Sequence, residues 1–289
     1  MILIEASGDK SDDISKECMG SPYWFVQIVL KTFRQVINIA KLTNAPLIGR
    51  VIDYALFEGD DITYLPKDIV IPINKEIGAP ESRVVPSQIL ENFLDRAENI
   101  FLMDFCPCRT SMKCESHSRD LGCIFMGKAA ADINPELGRL VSAKAAKEHL
   151  RRCREEGLVH MIGRQKLDAV WLNVGPIENL LSICNCCSCC CLWRVIPHIH
   201  PNISKKIKRL EGVKVEVSED CIGCRTCIDA GCFADAIRMV NGKAMITEEC
   251  RGCGRCVELC PEEAIDLSFE NPDILDKIIS KITKLVNVE

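Results

Sequence analysis

The sequence has no surplus of positive charge: 36 Lys and Arg stand against 41 Asp and Glu, a formal net charge of −5. A chain without excess cations has little with which to neutralise phosphates, which argues against a nucleic-acid binder. It also lacks a long apolar run. The most apolar window, Tyr23 to Ala40, is interrupted by Gln27, Lys31, Arg34, Gln35 and Asn38. That pattern is an amphipathic helix and no transmembrane segment. The window carries no strongly cationic face of the kind that binds a membrane surface, so a core helix or a partner face is expected. The start, MILIEASGDKSDD, turns polar and acidic too soon for a secretory signal, and a cytoplasmic protein is expected. Neither G-x-G-x-x-G nor G-x4-G-K-[ST] occurs, so no dinucleotide fingerprint or P-loop supports a flavin, nicotinamide or nucleotide site. Any hydride chemistry is left to a partner.

What the chain has in abundance is cysteine, 20 residues in 289, on a background that is 47% hydrophobic and long enough for two domains. Without an export signal, tight clusters two residues apart suit thiolates converging on metal better than disulfides, in a reducing and anaerobic cell. Apart from Cys18 and Cys153, the cysteines fall into four groups. They are Cys106, Cys108, Cys114 and Cys123; Cys184, Cys186, Cys187, Cys189, Cys190 and Cys191; Cys221 to Cys232; and Cys250 to Cys260.

The expected fold class is α+β. Residues 1–196 form a mixed N-terminal domain, with helices near 22–40, 87–98 and 142–156 and short strands at 157–162 and 167–174. Ser142 is placed to cap the third of these helices and Gly157 to end it. Residues 197–211, with two prolines and the basic stretch Lys205, Lys206, Lys208 and Arg209, are expected to be a linker whose charges are solvated.

From 212 to 270 the sequence repeats itself. Cys-x2-Cys-x2-Cys, a fourth Cys and Ala-Asp-Ala-Ile at 234–237 are answered by Cys-x2-Cys-x2-Cys, a fourth Cys and Glu-Glu-Ala-Ile at 262–265. Each half predicts strand, cysteine loop, short helix, strand. Asn241-Gly242 supplies a hairpin turn between them. Residues 271–289 predict a C-terminal helix, capped by Asn271 with Pro272 at its first position. Its apolar face includes Ile278, Ile279, Ile282 and Val286 and is expected to pack on its own domain or on another subunit or complex partner.

Three thiolates from one loop and a fourth from elsewhere suit an iron-sulfur cubane. The run Cys250-Arg-Gly-Cys253-Gly-Arg-Cys256-Val-Glu-Leu-Cys260-Pro261 matches the bacterial C-x2-C-x2-C-x3-C-P pattern residue for residue. Over about 212–269 the chain thus resembles the two-cluster bacterial ferredoxins. The resemblance implies a pseudo-two-fold module with two [4Fe-4S] clusters, one on Cys221, Cys224, Cys227 and Cys260, the other on Cys250, Cys253, Cys256 and Cys232. The first repeat departs from the pattern: Ile-Asp-Ala-Gly separates Cys227 from Cys232, and Phe233 stands where Pro is usual. Structural zinc fits this doubled arrangement poorly, because eight donors overserve a tetrahedral ion.

In the N-terminal domain, Cys106, Cys108, Cys114 and Cys123 together with the run Cys184 to Cys191 offer enough thiols for at least one further iron-sulfur centre. Zinc is a rival for Cys106, Cys108, Cys114 and Cys123, whose spacing matches no ferredoxin. The phrases FCPCR and ICNCCSCCC, over about 85–195, look like those of larger ferredoxin-tailed iron-sulfur proteins of anaerobes, which implies association with redox partners. His117 and His160 are expected in loop and strand roles, and Trp171 and Trp193 beside the dense cysteine run.

Three functions follow. The first is an electron-transfer subunit relaying single electrons to or from a partner protein. The second is a reductase whose N-terminal centre is catalytic, with Arg109 positioned to meet an anionic substrate. The third is a cluster carrier or redox sensor.

Overall fold

The computed structural model describes residues 20–68, 86–269 and 274–289; Cys18 and the Asn271-Pro272 cap lie outside them. Strands β1 (Asp61–Tyr64), β2 (Ile100–Met103), β3 (Ile124–Met126), β4 (Gly138–Leu140), β5 (Val159–Arg164), β6 (Leu181–Cys186) and β7 (Ile207–Arg209) form one sheet. Its order is β4-β2-β3-β6-β5-β1-β7. All neighbours are antiparallel except β1 and β7, which run parallel. Strands β8 (Val213–Val217), β9 (Ile237–Val240), β10 (Lys243–Ile246) and β11 (Ile265–Phe269) make two small antiparallel pairs, β8 with β11 and β9 with β10.

The helices are α1 (Tyr23–Thr32), α2 (Val36–Ala40), α3 (Pro46–Leu56), α4 (Ser87–Arg96), α5 (Pro107–Met112), α6 (Ala143–Glu155), α7 (Lys166–Leu172), α8 (Pro201–Ser204), α9 (Thr226–Asp229), α10 (Arg255–Glu258) and α11 (Ile274–Leu285). The mixed α+β class expected from the sequence is present.

The large sheet sorts its side chains by the two-residue period of a strand. Ile100 and Leu102 of β2, with Ile124 and Met126 of β3, join Leu90, Phe93 and Leu150 of α4 and α6 in one apolar layer. Phe101, Met103 and Phe125 point the other way, towards Val26 and Leu30 of α1 and Leu172 of α7. In β6 the same alternation sends Leu181 and Ile183 to the first layer. Cys184 and Cys186 go to the opposite face.

Ser142 caps α6 as expected, its hydroxyl accepting the Ala145 N–H at 3.3 Å, and Gly157 follows in the left-handed region at φ 73°. Two expectations need correction. The helix near 22–40 is broken into α1 and α2 by a 3-10 turn at Phe33–Gln35. The strand expected at 167–174 is instead α7: Ala169 and Leu172, three apart, are buried while Val170 is exposed. The helix start is decided from afar, because the Asp60 carboxylate accepts the Lys166 N–H at 2.7 Å, and Asn173 ends the helix in the left-handed region at φ 53°. A local pattern search has no access to that cap.

The stretch 197–211 carries α8 and β7, and β7 completes the sheet beside β1. Two of its lysines are paired to acids, Lys206 to Asp53 and Lys208 to Asp61, at 2.5 Å each. Helix α11 packs against α4, and its Ile278, Ile282 and Val286 share one apolar cluster with Val213, Val215, Ile265 and Leu267 of the tail repeat. Glu98 N–H donates to Val288 O at 2.8 Å and Asn287 N–H to Glu178 O at 2.9 Å, while Ile278, Ile282 and Val286 are buried. No helix among the described residues is long and apolar enough to cross a membrane.

Candidate metal centres

The tail repeat is a repeat of backbone conformation as well as of letters. Gly223 and Gly252 occupy equivalent left-handed positions (φ 71° and 66°), as do Arg225 and Gly254 (69° and 75°) and Asp235 and Glu263 (51° and 50°). A Cβ on Gly223 would strike the Gly242 carbonyl, so the loop needs glycine there. The expected hairpin turn Asn241-Gly242 has positive φ at both residues and joins β9 to β10, pairing Val240 with Lys243.

The fourth cysteines of the two halves are held alike. Ala236 N–H donates to Cys232 Sγ at 3.4 Å and Ala264 N–H to Cys260 Sγ at 3.3 Å. Ala244 N–H and Gly252 N–H donate to Cys221 and Cys250, at 3.4 and 3.3 Å. Amide donors aimed at sulfur stabilise thiolates and tune whatever they bind. The extra residue before Cys232 is absorbed at Gly231, in the left-handed region at φ 80° and packed on Ser188. The Ser188 hydroxyl donates to Ala230 O at 3.0 Å.

Two cavities open in this unit. Cys221, Cys224, Cys227 and Cys260 stand around one. Cys232, Cys250, Cys253 and Cys256 stand around the other, with Cys227 also on its wall. Each therefore has the three thiols of one loop and the fourth cysteine of the other half around it, and Cys227 faces both. Burial pushes Cys250 up and pushes Cys253 up to about 12, as expected of thiols that stay protonated until a cation replaces the proton.

In the N-terminal part the ten thiols sort into two sets, each drawn from both cysteine runs. Cys106, Cys108, Cys123, Cys184, Cys186 and Cys191 line a largely apolar cavity of about 280 Å³, with Trp171 and Trp193 beside them and Cys187, a member of the second set, also on its wall. Cys191 and Cys186 sulfurs are 3.1 Å apart, and Gln165 Nε2 donates to Cys184 Sγ at 3.5 Å. Cys108 reaches Cys191, and Cys123 reaches Cys184. Burial raises Cys191, but donation from Cys108, Cys186 and the Trp193 N–H outweighs it and brings this thiol down to about 6.

The second set is Cys114, Cys187, Cys189 and Cys190, whose sulfurs all lie within 4.8 Å of one another, with Cys114 and Cys189 at 3.6 Å. Among the described residues these are the donors that converge most tightly. Zinc–thiolate bonds of about 2.3 Å put tetrahedral sulfurs about 3.8 Å apart, so the set has the compactness of a single-ion site. The grouping of Cys114 with Cys106, Cys108 and Cys123 as one zinc quartet is thus not what the structure brings together. Cys114 follows α5, after Lys113 in the left-handed region, and so leaves the side of Cys106 and Cys108.

Arg109 was missed as a structural residue. It is fully buried: Nε donates to Ser118 O and Nη1 to Asn185 O, both at 2.7 Å, and Nη2 donates to Leu121 O. Burial lowers its proton affinity, but neighbouring Cys106, Cys187, Cys123 and Cys186 outweigh that and hold the guanidinium charged. All three nitrogens serve main-chain carbonyls, so the anion-meeting role expected for Arg109 is corrected to that of a tie between the Cys106–Cys123 loop and β6. His160 lies in β5, its Nδ1 2.8 Å from Asn185 Oδ1. His117 is 3.8 Å from Glu156 and outside both thiol sets. Every described cysteine is a free thiol.

A family model described as the LdpA Fe-S cluster-binding domain matches residues 225–269, a span that contains Cys227, Cys232, Cys250, Cys253, Cys256 and Cys260. The tail is an iron-sulfur cluster-binding domain, and the chain is an iron-sulfur protein. No curated protein and no solved structure matches it.

Proposed function

We propose that the chain is an electron-transfer protein whose tail holds two [4Fe-4S] clusters and whose six-thiol cavity holds a further iron-sulfur centre, passing single electrons to or from a redox partner. The observation that carries this reading is the pair of four-cysteine cavities in the tail, each with one thiol exchanged between the halves. When bound, a cluster supplies one-electron storage without proton or leaving-group chemistry. The chain supplies the rest. Cys221, Cys224, Cys227 and Cys260 hold one cluster, and Cys250, Cys253, Cys256 and Cys232 the other, while the Ala236, Ala244, Gly252 and Ala264 amides orient the sulfurs. Cys232, Cys250 and Cys253 pack into the same apolar cluster as Cys184, Cys186 and Cys191, which supports a contiguous route between tail and N-terminal part. The compact set Cys114, Cys187, Cys189 and Cys190 offers a tetrahedral ion four sulfurs.

The test is iron, acid-labile sulfide and zinc per chain after anaerobic purification, read with EPR of the reduced protein. Eight irons in the tail and more in the N-terminal part are expected by this count of sites. A colourless, iron-free protein after reconstitution would end the proposal.

A second reading, in which the N-terminal centre is itself catalytic, is favoured by the size and apolar lining of the cavity beside the six thiols. Turnover of a small substrate by the isolated chain with an artificial electron donor would support it.

A further inference from the structure

The layer formed by α1, α2 and α3 is apolar on both sides. Inwardly, Leu30, Ile52 and Leu56 face the thiol-lined cavity. Outwardly, Trp24, Phe25 and Ile28 of α1 and Leu47, Val51 and Tyr54 of α3 are exposed, Trp24 by 66% and Leu47 by 79%. Leu47, Val51 and Tyr54 are four and three residues apart, one stripe of a helix. A core needs only one such face, and a second one turned to water marks a surface that binds something.

Charge indicates what it binds, and it is more than the window Tyr23 to Ala40 offers alone: that window carries only Lys31 and Arg34, and the segment through α3 adds Lys41 and Arg50. Between Gly20 and Ile52 there is no Asp or Glu, while Lys31, Arg34, Lys41 and Arg50 are all exposed. None of the four has an ion-pair partner among the described residues. The acids that follow are neutralised, Asp53 by Lys206 and Glu58 by Lys166. A chain of net negative charge thus presents one apolar layer of positive sign. Pairing with a second copy through the same face would set these cations against themselves. A bilayer interface suits them: tryptophan and tyrosine rings settle at headgroup level, leucine and valine enter just below, and Lys and Arg reach lipid phosphates.

We propose that the α1–α3 layer docks on the anionic lipid surface of a membrane, lying on it without crossing it. This placement does not depend on which metal fills the thiol sets, and it would bring the thiol-lined cavity to the lipid side of the molecule.

The test is flotation of the anaerobically prepared full chain with vesicles of phosphatidylcholine, alone or with phosphatidylglycerol. Binding is expected to phosphatidylglycerol vesicles, weakening with salt. Trp24→Ser with Leu47→Ser is expected to lower partitioning roughly tenfold or more through lost apolar burial. Lys41→Glu with Arg50→Glu should abolish the preference for phosphatidylglycerol. Both variants change exposed residues, and unchanged iron content and circular dichroism would show the fold intact. Absence of flotation on either vesicle, or equal flotation of the variants, overturns the proposal. So does a lipid-free dimer dissolved by the same variants, or binding seen only after residues 1–19 are removed, which would give the face to a second copy or to the chain's own start.

Discussion

The ring of Tyr64, on β1, lies 5.4 Å from that of Phe233 in the first cysteine repeat, tilted by 52°. Both are buried, and they join the large sheet to the tail. Around them Lys67 N–H donates to Cys253 O at 3.1 Å and Arg251 Nη2 to Ser204 Oγ at 2.9 Å. The Phe that replaces the usual Pro after the fourth cysteine is therefore a staple between the two parts of the chain.

Phe233→Ala is expected to cost about 3–5 kcal/mol, the range for a large aromatic removed from a packed core. Anaerobic urea unfolding measures it, and a loss below about 1 kcal/mol would show the contact to be incidental. Tyr64→Phe should do the opposite. The Tyr64 hydroxyl is buried without a hydrogen-bond partner, so its removal is expected to be neutral or to stabilise by up to about 1 kcal/mol.

The exchange of fourth ligands predicts which cysteines act together. Cys232→Ser and Cys256→Ser should perturb one and the same EPR signal, and Cys260→Ser and Cys224→Ser the other. Pairing of Cys232 with Cys224 in such spectra would refute the assignment.

Arg109→Lys is expected to destabilise the N-terminal part by about 3–5 kcal/mol, since an ammonium cannot span three carbonyls and leaves buried groups unpaired. Iron in the six-thiol cavity should fall while the tail signals persist. Equal loss from both parts would point to global unfolding instead.

Asp60 gives a pH dependence. Burial raises its carboxyl to about 7, against the Lys166 N–H, which pulls it down, and with Asp168, which adds to the rise. The folded chain then holds a proton that the unfolded chain releases near pH 4. This group's contribution to stability is full below about pH 4 and is lost as pH rises towards about 7. Asp60→Asn keeps an acceptor for Lys166 and removes the titration. Relative to wild type the variant should gain on the order of a few kcal/mol between about pH 4 and pH 7, and no more above it. Parallel stability curves across that window would exclude the effect. His160, lowered to about 4 chiefly by burial, acts with the opposite sign in both proteins and cancels in the comparison.

Much of the tail was legible locally. Cysteine spacing, Asn241-Gly242 and the alternating apolar residues of β8 and β11 are short-range signals, although β8 pairs with β11 across the whole unit and each cavity takes its fourth cysteine from the other half. The iron-sulfur character of the chain likewise followed from spacing, because a metal cluster demands many donors from few residues. The N-terminal part was legible only in outline. Ser142 and Gly157 marked α6, but α7 needed Asp60, a hundred residues earlier, to cap it.

The sequence by itself determined that thiols would gather at metal-binding spacings, since their number and spacing are set by the order of residues. Which thiols meet was decided by the tertiary structure. Strand β6 turns Cys184 and Cys186 to one face, and the chain then bends so that Cys187, Cys189 and Cys190 meet Cys114 while Cys191 returns to Cys186. Neighbours in sequence thus serve different sites, because the direction of a side chain depends on the backbone beneath it and on the sheet that backbone joins. The apolar outer face of α1–α3 was set in the same way: residues that a helical pattern would assign to a core remain exposed because the sheet and cavity occupy only the inner side.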